Sequence, residues 1–265
     1  MSATLPRAGL TTHERILDWE GCLNARDVGG LRVPGSVTRR AALVRSDVLC
    51  GLTDAGISAL TAHGVRTIID VRAADEIADD WERYPFRDHA TVRYLNRPFS
   101  AGRTQQMLDQ VRAAYGAADS REELNRVDLD SHRGGIATII AAIADAPDGG
   151  VLVHCHAGKD RTGLVIALAL AVVGVSDDDI ADDYALTAHV LETLIADWLD
   201  KMSSDQAERS RLRQLAEPRR EAMLDTLAYL RANYGSAETY LAGGGVSGDQ
   251  LERLRARLVE PAMAA

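Results

Sequence analysis

A cysteine and an arginine six positions apart have the types and spacing to carry out phosphoryl-group chemistry. Cys155 and Arg161 lie in the stretch VLVHCHAGKDRTG, between Val151 and Gly163. A thiolate is a strong nucleophile, and a guanidinium can donate two parallel hydrogen bonds to two oxygens of a phosphate. Such a pair also arises by chance, so its meaning depends on the elements that position it.

The residues around the cysteine predict a strand, a tight loop and a helix. Residues 151–153 are apolar and mostly β-branched, Gly158 interrupts the pattern, and residues 164–173 are apolar enough for a buried helix. A loop of this kind directs backbone N–H groups and the positive end of a helix toward one point, where a phosphate binds and a thiolate is favoured. The predicted phosphate-binding residues are His156, Ala157, Gly158, Lys159, Asp160, Arg161 and Thr162.

Three side chains of this loop have predicted roles with alternatives. Lys159 is one of only two lysines among the 30 lysines and arginines of the chain, which suggests that a compact, flexible ammonium is needed to accept highly charged substrates. The alternative is an exposed lysine without a role. Thr162 can donate its hydroxyl hydrogen to the sulfur of Cys155. His156 either contacts a substrate or is simply exposed to solvent.

The composition is that of a globular protein with a large core. The 265 residues are 46% hydrophobic and 5% aromatic, and no apolar run reaches membrane-spanning length. The net charge of −9 argues against nucleic acid as a general partner. The first residues lack the pattern of a secretory signal, so we expect a cytoplasmic protein, with leaderless export as the alternative. We also expect a monomer.

The other cysteines and histidines do not predict a metal site or a cofactor. Cys22 and Cys50 are interpreted as small buried hydrophobic residues, and a disulfide that protects Cys155 is the alternative. His154, Cys155 and His156 are consecutive, and consecutive strand residues point to opposite faces, so they do not form a ligand set.

Three apolar runs upstream of the motif predict further strands. They cover residues 41–44, 65–71 and 90–95. The second run, VRTIIDV, is continuous and β-branched, which is typical of a strand buried on both faces, so we place it at the centre of the sheet. Between the first two runs, Thr53 is the predicted N-cap of a helix that ends at Gly64.

Charged residues follow the second of these strands. Asp70, Arg72 and Glu76 lie at its carboxyl end, where ligand sites of open α/β sheets gather. We nevertheless interpret them as an ion-paired group that fixes the loop.

The rest of the chain has a helical pattern. Residues 100–135 are polar, with breaks predicted at Gly116 and at Gly134–Gly135. Such a stretch between core strands can form a lid over a site, and the alternative is a surface insertion without a gating role. Residues 174–265 are predicted to be a helical C-terminal part. With no repeat and no long linker, residues 1–265 are expected to form a single domain.

The motif resembles the signature loop of the cysteine-dependent tyrosine phosphatases, in particular a bacterial branch with a GKDRTG loop. Only the loop around Cys155 is diagnostic, and the other matches support it by their order. They are Asn24-Ala25-Arg26-Asp27, Arg45-Ser46-Asp47, Gly64-Val65-Arg66, Asp70-Val71-Arg72, Asp183-Tyr184 and Tyr234-Gly235-Ser236. The resemblance implies a twisted, mainly parallel sheet flanked by helices, a helical lid, no metal, and a phosphorylated protein or phosphoinositide as substrate.

Two positions depart from the family pattern. Ala25 stands where the family usually has Phe, which puts the packing of that loop in doubt. Several relatives have a carboxylate just after the Pro-Phe that ends a core strand, whereas Pro98-Phe99 is followed here by Ser100-Ala101-Gly102. A general acid from that loop is therefore not expected.

The resemblance also implies a mechanism. Cys155 would attack phosphorus, Arg161 would hold the phosphoryl oxygens, and Asp160 would donate a proton to the leaving group, because the branch has an aspartate at that position. Asp128 is the alternative acid, and Asp160 would then only stabilise the loop through Lys159. A silent phosphate-binding module is the non-enzyme alternative, and a sulfurtransferase would not need Arg161 and Thr162 at a helix start.

Overall fold

Seven short strands form two sheets in the computed structural model, which describes residues 12–261. The main sheet has five strands in the order β1-β4-β7-β5-β6, and β2 pairs with β3 in a separate hairpin. The β4-β7, β7-β5 and β5-β6 pairs are parallel, and the β1-β4 pair is antiparallel. The strands are β1 (Arg26–Asp27), β2 (Arg32–Val33), β3 (Ser36–Val37), β4 (Leu43–Ser46), β5 (Val65–Asp70), β6 (Arg93–Asn96) and β7 (Gly150–His154).

The strand that leads to Cys155 is the central one. β7 is buried along its whole length, between β4 and β5. β5 is interior but lies one strand away from the centre, so the placement of VRTIIDV at the centre was wrong by one position. The run before Cys155 is equally apolar, and periodicity alone does not rank two buried strands.

Helices cover both faces of the sheet and make up the C-terminal part, as predicted for residues 174–265 within the described range. No helix in the described part of the chain is long and apolar enough to cross a membrane. The helices are α1 (Thr12–Arg15), α2 (Asp54–Ala62), α3 (Ala74–Ala78), α4 (Gln105–Ala117), α5 (Arg121–Ala144), α6 (Asp160–Val172), α7 (Asp177–Met202), α8 (Gln206–Ala216), α9 (Arg220–Tyr234), α10 (Ala237–Gly243) and α11 (Gly248–Leu258).

Two hydrophobic clusters pack on opposite faces of the sheet. Val151 and Val153 of β7 belong to a large cluster with α5 and α6, while Leu152 between them belongs to a smaller cluster that includes Trp19 and Leu60. This alternation follows from the two-residue period of a strand. Both faces of β7 are therefore dry, and the strand holds the loop after it in a fixed place.

Helix α5 runs through the glycine pair that was predicted to break it. Gly134 lies on the exposed side with open space around it, and Gly135 is buried where an added Cβ would lie 2.0 Å from Phe99 O. The irregular residue is instead His132, with φ −114° and ψ 18°. Gly135 allows close packing of α5 on the segment after β6. The helix is kinked at His132, two residues before the glycine pair where the break was predicted.

Candidate active site

The loop between β7 and α6 has the shape that the sequence predicted. Cys155 directly follows the last residue of β7, and α6 begins at Asp160. Gly158 has φ +64°, and an added Cβ would lie 2.3 Å from Ser46 O at the end of β4. The loop is therefore pressed against the neighbouring strand, in a conformation that favours glycine. Cys155 is 3% exposed, at the base of this loop.

Residues from the N-terminal part of the chain bind the outer side of the loop. Four consecutive loop carbonyls accept hydrogen bonds from them. The pairs are Val48 N to His156 O (2.8 Å), Asn24 Nδ2 to Ala157 O (2.9 Å), and Arg45 Nη2 to Gly158 O (2.7 Å) and to Lys159 O (3.4 Å). In a trans peptide the C=O and N–H groups point in opposite directions, so the amides that follow these carbonyls face the other side of the loop.

Arg161 is held by Glu76, one of the three residues predicted to form an ion-paired group that fixes the loop. Its two terminal nitrogens donate to Glu76 at 2.6 and 2.8 Å. Burial disfavours its charge, but the hydrogen bonds to Glu76 and the nearby charge of Cys155 outweigh this and raise the pKa of Arg161. The guanidinium therefore stays charged beside the thiol. Glu76 lies in the first turn of α3, just after β5, and its place at the carboxyl end of a strand was the available signal.

The other two residues of that charged group form a second ion pair, with each other. Arg72 Nη2 lies 2.9 Å from Asp70 Oδ2, and both side chains are fully buried. Burial opposes ionisation of Asp70, but the hydrogen bonds and the charge of Arg72 help to outweigh it, and the pKa of Asp70 is lowered. This part of the ion-pair prediction is confirmed.

His154 supports the start of the loop from inside. Burial lowers its pKa, so its ring is neutral. Nδ1 lies 2.9 Å from Cys155 O, and the hydroxyl of Tyr84 lies 2.7 Å from Nε2. Because the carbonyl only accepts, Nδ1 carries the proton and Nε2 accepts from Tyr84. Both ring nitrogens are used, which leaves His154 in a structural role.

Asp160 lies among cations. Its carboxylate is 3.4 Å from Lys159 Nζ and 3.2 Å from Arg121 Nη1, and it accepts a 3.3 Å hydrogen bond from the hydroxyl of Tyr184. Burial would raise its pKa, but Lys159, Arg121 and Tyr184 together lower it below the ordinary value. Asp160 is therefore a carboxylate at neutral pH.

Asp128 has the opposite surroundings. Its side chain is 5% exposed, its Oδ1 accepts a short hydrogen bond from the hydroxyl of Tyr115, and His132 Nε2 lies 3.8 Å away. Burial, together with the negative charge of Asp160, raises the pKa of Asp128 to about 7. Asp128 therefore holds a proton more readily than an ordinary carboxyl group.

These groups line one cavity beside the loop. It has a volume of about 480 Å³ and lies under α4 and the first half of α5, in the stretch predicted to form a lid. The guanidinium of Arg161, the carboxyl group of Asp128 with its raised pKa and the ionised carboxylate of Asp160 thus face the same cavity. The polar residues of its wall include Arg161, Asp160, Asp128, His132, Tyr115 and Arg121.

A second cavity lies on the other side of the loop. It measures about 510 Å³, and its lining includes His156 and Lys159 of the loop and apolar residues of α7 and α8, such as Leu191 and Leu215. Lys159 is not free at its entrance, because Nζ donates to Ala216 O at 2.6 Å. His156 is exposed, and the prediction of a substrate contact stays a prediction.

Thr162, Cys22 and Cys50 are the remaining residues with a predicted role. Thr162 Oγ1 is buried and has no hydrogen-bond partner among the described residues, so the expected bond to Cys155 is not formed in this structure. Cys22 and Cys50 are free thiols. Cys22 donates to Asp47 Oδ1 at 2.8 Å, and burial, followed by the charge of Asp47, raises its pKa. Burial raises the pKa of Cys50 to about 11.

The chain is similar in sequence to curated phosphatases. A curated tyrosine-protein phosphatase from Nostoc commune is 35% identical over 82% of this chain and 74% of its own length. The triple specificity protein phosphatase PtpB from Mycobacterium tuberculosis is 27% identical over 92% of this chain and 99% of its own length. Among solved structures, TpbA from P. aeruginosa aligns with 81% of this chain and 94% of its own, at 17% identity and a TM-score of 0.33.

The family assignment rests on nearly the whole chain. The sequence model described as the tyrosine phosphatase family matches residues 17–260. That range includes β7, the loop, Cys155 and Arg161. The chain belongs to the tyrosine phosphatase family.

Proposed function

We propose that this phosphatase hydrolyses phosphotyrosine monoesters through a cysteinyl-phosphate intermediate. The observation that carries the proposal is the placement of Cys155 at the base of a loop whose Arg161 is charged, interacts electrostatically with Cys155 and is held by Glu76. The sulfur attacks phosphorus while the bond to the phenol oxygen breaks. The amides of the loop and Arg161 hold the three other phosphoryl oxygens during the transfer.

The departing phenolate needs a proton, and we propose that Asp128 supplies it. A general acid must be protonated before the step, and the pKa of Asp128 is raised to about 7 by burial and by Asp160. Asp160, which the family resemblance implies as the acid, has a lowered pKa and is ionised in the same cavity. Its charge then keeps Asp128 protonated.

The second half of the reaction regenerates the thiolate. The carboxylate of Asp128 left after the first step accepts a proton from water, and the water oxygen attacks phosphorus. The S–P bond breaks, inorganic phosphate leaves, and the electron pair returns to the sulfur of Cys155. Protons and charge balance without a metal or cofactor among the reactants.

We propose a wider substrate range as a secondary feature. PtpB is named as a triple specificity phosphatase, and this chain has two cations, Lys159 and Arg121, paired with Asp160 beside the loop. Phosphoserine, phosphothreonine and phosphoinositide monoesters are therefore candidate substrates. We further propose that the protein acts as a monomer in the cytoplasm, which size-exclusion chromatography and cell fractionation would test.

The proposal is tested by phosphate release from p-nitrophenyl phosphate. We expect wild-type activity to fall to background in Cys155→Ser, because a hydroxyl at this position remains protonated and is a far weaker nucleophile. Cys50→Ser is the matched control and should keep wild-type activity, since Cys50 is half-buried outside the loop. If the wild-type protein binds phosphate but releases none from the ester, the chain is a silent binding module instead.

A further inference from the structure

A buried cluster of three arginines and one aspartate lies behind the loop. Arg15, Arg26 and Arg45 all contact Asp183, and none of the four is more than 3% exposed. Arg15 Nη1 lies 2.8 Å from Asp183 Oδ1, Arg26 Nε lies 3.2 Å from the same oxygen, and Arg45 Nη1 lies 2.9 Å from Oδ2. The cluster joins the N-terminal segment, β1 and β4 to helix α7.

The cluster carries more positive than negative charge. Three guanidiniums share the carboxylate of Asp183, and several of their remaining N–H groups donate to neutral oxygens. Arg26 donates to Asn24 Oδ1 at 2.5 Å and to Thr187 Oγ1 at 2.8 Å. Burial and the charge of Arg45 lower the pKa of Arg26 to about 9, which still leaves it protonated at neutral pH. A buried excess of cations is costly unless an anion lies close by.

Arg45 is the member of the cluster that reaches the loop. While Nη1 binds Asp183, Nη2 donates to Gly158 O at 2.7 Å and to Lys159 O at 3.4 Å. Asn24, which is bound to Arg26, donates to Ala157 O in the same way. These contacts turn three consecutive carbonyls toward the cluster, so the amides of residues 158–160 face away from it. A carbonyl that accepts a hydrogen bond also makes the N–H of the same peptide group a stronger donor.

We propose, on the basis of the phosphatase function above, that Arg45 is a positioning residue for phosphate binding. Its guanidinium fixes the loop carbonyls on the cluster side, which directs the loop amides at the phosphoryl oxygens, and Asp183 fixes the guanidinium in turn. The excess charge of the cluster adds a long-range attraction for the bound anion. Arg45 touches neither the substrate nor the reacting atoms and acts through the loop backbone.

The test compares Arg45→Met and Arg45→Lys with the wild-type protein. The first readout is competitive inhibition of p-nitrophenyl phosphate hydrolysis by inorganic phosphate, and the second is the rise in melting temperature that phosphate causes. We expect Arg45→Met to raise the inhibition constant and KM about tenfold, the size expected for losing a charged hydrogen bond to the loop. Arg45→Lys should be intermediate, because an ammonium keeps the charge but lacks the planar fork.

Arg15→Gln is the matched control. It removes a cation from the same carboxylate, but within the described residues Arg15 binds Asp183 and forms no hydrogen bond or ion pair with the loop, so phosphate inhibition should stay within about twofold of the wild type. Equal losses in Arg15→Gln and Arg45→Met would overturn the proposal, as would wild-type phosphate inhibition in either Arg45 variant. If Arg45→Met does not fold, Arg45→Lys alone decides the outcome in the same way.

If the proposed phosphatase function is wrong, the same measurements give a different result. A wild-type protein that releases no phosphate from the ester refutes catalysis, yet its thermal stabilisation by inorganic phosphate still reports on loop geometry. In that case a smaller stabilisation in Arg45→Lys than in Arg15→Gln supports the positioning role, and equal stabilisation refutes it.

Discussion

Asp128 and Asp160 line one cavity, yet their surroundings move their pKa values in opposite directions. Asp160 is next to Lys159 and Arg121, whereas Asp128 is buried beside Tyr115 and feels the charge of Asp160. Two carboxyl groups separated in this way can serve as one acid and one fixed anion. The sequence offered both as candidates, and nothing in it indicated which one would be protonated.

The pH profile distinguishes the two carboxyl groups. Since Asp128 must be protonated to act as acid, kcat/KM should fall as pH rises above about 7, the value to which burial and Asp160 raise its pKa in the free enzyme. Asp128→Asn should lower kcat by roughly 10²–10⁴-fold and remove this basic limb. Asp160→Asn should keep the limb but shift it to lower pH, because the charge that raises the pKa of Asp128 is gone. A profile that loses its basic limb only in Asp160→Asn would identify Asp160 as the acid.

The part of the site that comes from one short stretch of sequence was predictable. The contacts that join this stretch to distant segments were not. Cys155, Arg161 and the loop glycine are within a few residues of one another, so their spacing and the strand-loop-helix pattern were informative. Glu76 and Arg45 bind this loop from 85 and 113 residues away, respectively. Their positions depend on which strands pair, and periodicity does not report that order.

The glycines of helix α5 show how tertiary contacts override local preference. A Gly-Gly pair ordinarily favours a break at the pair itself, but here the kink lies at His132 and both glycines are helical. One glycine faces solvent, and the other lets the helix approach Phe99 O. The cap of helix α2 was better predicted, since Thr53 accepts the expected hydrogen bond from the backbone N–H of Gly56. Capping is a local interaction, whereas close helix packing is not.

Alanine substitutions at the two adjacent glycines should have opposite effects. Gly134→Ala has open space for the new methyl group and should raise the free energy of unfolding by about 0.5–1 kcal/mol through helix propensity. Gly135→Ala would bring a Cβ to 2.0 Å from Phe99 O, so α5 must shift, and we expect a loss of about 1–3 kcal/mol. Urea denaturation of both variants measures this, and similar values for the two would contradict the packing described for α5.

Asp183 connects parts of the molecule that are far apart in sequence. Burial would raise its pKa, but Arg26, Arg45 and Arg15 outweigh this and lower it strongly. Asp183→Asn leaves three buried cations without their counter-ion, and we expect a loss of about 3–5 kcal/mol in the free energy of unfolding at pH 7. The neighbouring Asp182 pairs with Arg220 at the surface, so Asp182→Asn should change the free energy of unfolding by less than about 1 kcal/mol.

The lowered pKa of Asp183 predicts how the stability of the fold depends on pH. Because the pKa of Asp183 is lower in the folded protein than in the unfolded chain, its contribution is complete above the ordinary carboxyl pKa of about 4 and is lost as pH falls below it. Guanidinium chloride unfolding at pH 7 and at pH 3 should therefore show a smaller difference between wild type and Asp183→Asn at the lower pH. A difference that does not shrink would mean that Asp183 stabilises the fold by packing and not by its charge.

The strand order has a consequence for synthesis of the chain on the ribosome. β4 and β5 are made early but do not pair with each other, because β7 lies between them and is separated from β5 by residues 71–149. Assembly of the sheet must wait for this late insertion, and such distant pairing slows folding. A nascent chain released before residue 150 would lack both its middle strand and Cys155. Chains released before residue 150 therefore cannot carry the Cys155 thiol on an incomplete sheet.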